Sequence, residues 1–261
     1  MGGQQHPVKR TERITMEVLV RVVVVFLFLS GCGKGVSVLK DSQLRPLVIS
    51  MSGNSTCKPT QTGDEGPNGT SFFLKSMKVA NELEATRGSG PFMIASCYDA
   101  DAGLISSRSN DGWRNERTDE ASFIRMAHEQ MHSANHVFIM GHSYGGWLAM
   151  KLLEGWGGDP NLVGTIDTID PISKVTCSFS QPAGCIIAPQ DIKIPQRVHI
   201  AGVSKIWVNT WQNNTFYLHS SLITEADINK RVLDLDHYTV ATDDGLWEDI
   251  KQRAKRISSE N

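Results

Sequence analysis

The chain has no excess of one charge and no basic stripe. Its 26 Lys and Arg stand against 28 Asp and Glu, a formal net charge of −2 over 261 residues. That balance removes the electrostatic footprint that nucleic-acid binding needs. There is no internal repeat, no low-complexity segment and no Pro/Ser/Gly-rich linker in the middle of the chain, so one large domain is expected. The apolar run Val22 to Leu29 ends after eight residues, far short of the ~20 that a membrane-spanning helix takes. Cysteine is scarce, with five residues and no CxxC pair, which argues against a structural zinc site. With 40% hydrophobic and 21% charged residues, the composition is that of a globular protein and excludes a disordered chain.

What is present begins with an export signal. Lys9, Arg10, Arg13 and Arg21 precede Val22–Leu29, and small residues follow at Leu29-Ser30-Gly31-Cys32. A basic flank, a short apolar core and a small-residue cut describe a secretory signal over residues 1–31. The four residues resemble a bacterial lipobox, which implies lipidation at Cys32 and a tether over residues 32–43. Met16 is an alternative start. The expected location is the bacterial cell envelope, with the protein exported and lipid-anchored to a membrane and otherwise monomeric. In that oxidising compartment the four remaining cysteines are expected to pair. Cys177 and Cys185 flank Pro182 and Gly184 and would clamp one loop, which leaves Cys57 with Cys97.

Beyond residue 44, short apolar runs alternate with helical patterns. Strands are expected near 44–50, 91–98, 136–140, 162–169, 197–203 and 231–235, with helices near 71–86, 119–134, 146–156 and 246–257. Strands spaced by helices imply right-handed βαβ crossovers, and runs such as His136–Met140 fit burial on both faces. The fold class is therefore α/β, a three-layer α/β/α sandwich around a mostly parallel sheet.

The most specific motif is Gly141-His142-Ser143-Tyr144-Gly145, which follows a strand and opens a helix. G-x-S-x-G in that context is a nucleophile elbow. It projects Ser143 Oγ above the sheet at a helix N-terminus, where free N–H groups favour negative charge. A serine hydroxyl needs a base and an orienting acid, which follow in the order Ser, acid, His. Asp170 ends the next strand and is preferred to the mid-strand Asp167. His237 follows the last strand and is the preferred base, with His219 second.

On the elbow, the Asp170-Pro171-Ile172-Ser173 that follows and the late Asp236-His237-Tyr238-Thr239, the chain resembles the α/β-hydrolase superfamily, in particular its lipases and esterases. The match runs from about residue 45 to 257, with a fold reduced at the N-terminus. The resemblance implies a Ser143–Asp170–His237 triad that cleaves carboxylic esters of small molecules or lipids through an acyl-enzyme, with no metal or organic cofactor. It also implies an oxyanion hole, with one donor from Tyr144 N–H and the other from the stretch Ser52 to Asn54, Gly53 and Asn54 foremost. A small lid-like loop is expected at 172–195, where Phe179, Ile186 and Ile187 are candidates for lining an acyl site. Many hydrolases carry the acid one strand later, but after the expected strand 197–203 only Ser204 and Lys205 follow. An inactive envelope scaffold and an acyltransferase using the same triad remain open alternatives.

One motif competes. His128-Glu129-Gln130-Met131-His132 matches the HExxH pattern of zinc proteases. Phe123, Met126, Ala127, Met131 and Ala134 form an apolar stripe, and His128, Glu129 and His132 fall on the opposite, water-facing side. A solvated helix face is expected there.

Overall fold

The computed structural model describes residues 45–53, 69–86, 94–99, 103–109, 112–173, 191–214 and 219–260. Cys32, Asn54, Cys57, Cys177, Cys185 and the signal, tether and central lid-like loop segments lie outside the described residues. The same holds for the side chain of Cys97. The two expected disulfides and the lipidation therefore stay expectations.

The elements in chain order are β1 (Arg45–Ser52), α1 (Gly69–Thr86), β2 (Ile94–Asp99), β3 (Leu104–Ser109), β4 (Gly112–Arg117), α2 (Glu120–Met131) and β5 (Ala134–His142). They continue with α3 (Tyr144–Glu154), β6 (Val163–Ile169), α4 (Ile194–Gly202), β7 (Ser204–Trp211), β8 (Ile228–Arg231) and α5 (Asp244–Ser258). The described strands form one sheet in the order β4-β3-β2-β1-β5-β6-β7-β8. All neighbours from β2 to β8 pair in parallel; β3 alone runs against the rest.

Alternation along the strands sorts the core into two layers. Leu47, Ile49, Met51, Val137 and Ile139 pack on one face with Phe123, Ala127 and Met131 of α2, Leu148 and Leu152 of α3 and Ile200 of α4. Val48, Phe138 and Met140 pack on the other with Phe72, Val79, Ala80 and Leu83 of α1 and Leu246, Trp247, Ile250, Ala254 and Ile257 of α5. The helical spacing of those α1 and α5 residues gives each helix a single buried stripe. Caps fix the starts: Asp119 accepts from Ser122 N–H at 2.8 Å, and Asp243 accepts from Leu246 N–H at 2.7 Å. The result is the expected three-layer α/β/α sandwich. Among the described residues no helix is long and apolar enough to cross a membrane.

Two strand expectations are corrected. Residues 197–203 are not a strand but most of α4. Pro195 sits in its first turn, and Gln196 Oε1 accepts from Lys193 N–H at 2.6 Å. Only Ile200 of its apolar residues is buried, while Val198 faces solvent. The strand lies directly after it, at Ser204–Trp211. The last parallel strand is Ile228–Arg231 rather than 231–235. The β3–β4 hairpin was not anticipated, because its sequence LISSRS…GWRNER carries few apolar residues.

The chain leaves β1 to form β2 on one side and later returns to form β5 on the other. At such a reversal the crossovers diverge and open a crevice at the carboxyl ends of the strands. Gly53 and Ser143 stand side by side just beyond the ends of β1 and β5.

Candidate active site

β5 is a central strand, and the chain turns sharply from its last residue, His142, into α3. Ser143 makes the turn at φ +58° and ψ −127°, a left-handed conformation that side chains rarely adopt. The turn is tied on both sides: Ser143 N–H donates to Ile169 O at 3.1 Å, Ile172 N–H donates to Ser143 O at 3.1 Å, and Gly53 N–H donates to His142 O at 3.1 Å. The flanking glycines are required by space. A Cβ on Gly141 would lie 2.3 Å from Gly145 O, and one on Gly145 would lie 2.1 Å from Met51 O.

The serine meets its expected partners. His237 Nε2 is 3.0 Å from Ser143 Oγ, and His237 Nδ1 is 2.7 Å from Asp170 Oδ2. An ionised carboxylate can only accept, so Nδ1 carries the imidazole proton and Nε2 offers its lone pair to the serine hydroxyl. All three residues are buried. Asp170 follows β6 at φ +42°, with its N–H donating to Thr210 O at 2.7 Å. Its carboxylate is fully enclosed and accepts three more bonds, from Gln212 Nε2 at 2.7 Å, Gln212 N–H at 3.3 Å and Ser220 N–H at 2.9 Å. Asp167 is also buried, but it pairs with Arg253 of α5.

His237 sits in a tight turn built by Asp236, whose Oδ1 accepts from Tyr238 N–H at 2.9 Å and Thr239 N–H at 2.8 Å. Those bonds, the one from Thr239 first, hold the Asp236 carboxyl below its usual range. His142 joins the site from the elbow, with Nε2 2.8 Å from His237 O. Burial first, and then the neighbouring His237, lower its pKa to about 3, against the carbonyl's opposing effect. The ring is therefore neutral at physiological pH.

The oxyanion expectation needs one correction. Gly53 N–H is committed to His142 O and is not an available donor. The backbone of Gly53 packs on the elbow instead, where a Cβ would lie 2.8 Å from Tyr144 N and 3.2 Å from Ser143 Oγ. Tyr144 opens α3 beside Ser143.

Two of the other histidines, His128 and His199, depart from expectation. His128 is half-buried and does not face water: its Nε2–H donates to Leu152 O at 2.8 Å and its ring lies 5.4 Å from that of Trp156. His132 is exposed, 4.8 Å from the same indole. Both cover the C-terminal turn of α3. His199 lies on α4 rather than inside a strand, and its Nε2–H donates to Trp156 O at 2.9 Å. His219 adjoins Ser220 and it is His237 that reaches Ser143. Gln212 and Ser220 were missed in the sequence, because the strand that ends beside Gln212 was read one element too early.

No protein-family model matches the chain, and no curated protein does. Among solved structures it is similar to a predicted CIB-like hydrolase from Thermoplasma acidophilum, at 10% identity over 84% of this chain and 89% of that one, with a TM-score of 0.42. It is similar to Est1E from Butyrivibrio proteoclasticus at 10% identity over 84% and 91%, with a TM-score of 0.43. It is also similar to the esterase Pf2001 from Pyrococcus furiosus at 9% identity over 83% and 85%, with a TM-score of 0.44. Likenesses this weak carry nothing about activity; the architecture rests on the strand order and the two helical layers.

Proposed function

We propose that the protein is a serine hydrolase of the α/β-hydrolase type that cleaves carboxylic esters through an acyl-enzyme. The observation that carries this reading is the chain of two contacts, Ser143 Oγ to His237 Nε2 at 3.0 Å and His237 Nδ1 to Asp170 Oδ2 at 2.7 Å, at the carboxyl edge of a parallel sheet. Ser143 Oγ attacks the ester carbonyl carbon as its proton passes to His237 Nε2. The tetrahedral intermediate collapses by breaking the bond to the alkoxy oxygen, which leaves as the alcohol with that proton. Water then attacks the acyl-serine, gives a proton to Nε2 and releases the carboxylic acid as the proton returns to Ser143. Asp170 stabilises the imidazolium that forms at each step. Tyr144 N–H is the proposed first oxyanion donor, and the second comes from Asn54.

The proposed setting is the bacterial cell envelope, with Cys32 lipidated and Cys57–Cys97 and Cys177–Cys185 paired. The basic and apolar residues before Leu29-Ser30-Gly31-Cys32 support it. The test of the chemistry is a fluorophosphonate probe on soluble protein lacking residues 1–32. Labelling of the wild type that vanishes in Ser143→Ala supports the reading; a well-folded wild type that resists the probe and leaves an ester panel intact overturns it. Growth with labelled palmitate, comparing the full chain with Cys32→Ser, tests the anchor.

A further inference from the structure

The nucleophile and its base come from segments about a hundred residues apart in sequence, yet their 3.0 Å contact has to hold for proton transfer. A misplacement of ~1 Å costs on the order of a hundredfold in rate. Something must therefore tie the loop that carries His237 to the strand that carries Ser143.

His142 bridges them directly. It precedes Ser143 on β5, and its Nε2 lies 2.8 Å from the backbone carbonyl of His237. A carbonyl only accepts, so Nε2 is the protonated nitrogen and the tautomer is fixed. The two imidazoles also lie against each other, tilted, with centroids 4.8 Å apart and planes at 35°. Behind His142 stands Phe72 of α1 at 6.0 Å, and behind that Trp247 of α5 at 5.2 Å, whose Nε1–H donates to Ala241 O at 2.8 Å. Phe72 is fully buried. His142 is itself buried among these rings.

The ring's charge matters as well. His237 becomes a cation in each proton-transfer step, and a charged neighbour at 4.8 Å would oppose it. Burial keeps His142 neutral, so it holds the base without that repulsion.

We propose that His142 is a positioning residue that, through its Nε2–H bond to the His237 carbonyl, sets the base ring against Ser143 Oγ. The inference rests on the reading of His237 as the base. Two replacements separate bond from bulk. His142→Phe keeps a ring there but has no donor. His142→Gln carries its amide NH2 near the place of Nε2. The assay measures kcat and KM for p-nitrophenyl butyrate and the rate constant for fluorophosphonate inactivation, which depends on the same proton transfer. His142→Phe should lower kcat and the inactivation rate by about 10–100-fold with KM within about twofold, and His142→Gln should recover most of that loss. A purely structural role would lower both variants alike in proportion to their folded fraction, which near-UV circular dichroism reads.

A readout that needs no turnover is the 15N spectrum of the imidazoles, in which His142 should be a neutral Nε2–H tautomer from pH 8 to pH 5. Full activity of folded His142→Phe, or a His142 ring that titrates near pH 6.5, overturns the inference. If both variants fail to fold, the spectrum of the wild type still decides. His237→Ala distinguishes the two levels: its retention of activity sinks the assignment of the base, whereas an inactive His237→Ala beside a fully active His142→Phe sinks only the role given to His142.

Discussion

Replacing Asp170 by Asn removes one charge and almost no volume, so its effect isolates what the carboxylate does. Oδ1 accepts from two backbone donors, Gln212 N–H at 3.3 Å and Ser220 N–H at 2.9 Å. Neither can reverse its polarity, so the new amide must turn its carbonyl oxygen toward them. Its NH2 then occupies the place of Oδ2, 2.7 Å from both Gln212 Nε2 and His237 Nδ1. Gln212 cannot flip to accept without abandoning Asn214 N–H, which donates to its Oε1 at 2.7 Å. The imidazole can respond, and it does so by moving its proton from Nδ1 to Nε2. Nε2–H then faces the hydroxyl of Ser143, and the serine has lost its base.

A base held in the wrong tautomer costs about 10³–10⁴-fold in kcat, or about 4–5.5 kcal/mol at about 1.4 kcal/mol per decade. The assay is turnover of p-nitrophenyl butyrate near pH 7.5, with active enzyme counted by fluorophosphonate titration and the fold checked by circular dichroism. A folded Asp170→Asn variant within tenfold of wild type would show that the carboxylate does not set the tautomer. The same loss in Asp167→Asn, whose carboxylate pairs with Arg253 instead, would remove the distinction between the two acids.

Further outcomes are expected. Arg253→Met leaves the buried Asp167 carboxylate without its partner and should destabilise the fold by about 3–5 kcal/mol in urea titrations. Burial already pushes that carboxyl up against the pull of Arg253, so it gains a proton more readily in the folded state. The deficit should therefore shrink as pH falls from 7 toward 4.5, and a constant deficit would refute the assignment. His142 behaves in the opposite sense. Its folded pKa of about 3 lies below the unfolded value near 6.5, so below pH 6.5 the unfolded chain holds the extra proton. As pH falls below 6.5, stability should fall by up to ~1.4 kcal/mol per unit on its account, and the wild-type-minus-His142→Gln difference should carry that slope. Gly145→Ala drives a Cβ to 2.1 Å from Met51 O, a backbone collision that should cost at least ~1–3 kcal/mol and lower the melting temperature with the labelling rate.

The sequence spoke most clearly where periodicity and turn chemistry agreed. The strand into Gly141, the glycines whose Cβ positions collide, and the amphipathic stripes of α1 and α5 could all be read from residue spacing. Asp170 stood out because it closes a buried strand. Reading failed at residues 197–203, where Val198, Ile200 and Val203 suggested extended chain, while Pro195 and the Gln196 side chain started a helix. That one shift hid β7, and with it Gln212 at its end. The β3–β4 hairpin was invisible for another reason: its pairing is made by backbone groups, and few apolar side chains mark it. Bonds such as His142 to the His237 carbonyl join positions about a hundred residues apart, and no local pattern encodes them.

The bend at Ser143 is tied by backbone hydrogen bonds to the ends of both neighbouring strands, β1 and β6. Held at the centre of the sheet, the amides in those bonds are expected to exchange with deuterium through opening of the sheet itself. Ser143 and Ile172 should accordingly rank with the slowest-exchanging positions of the chain. Heating would then take the nucleophile and the fold together, leaving no temperature at which an intact sheet carries a slack, silent serine.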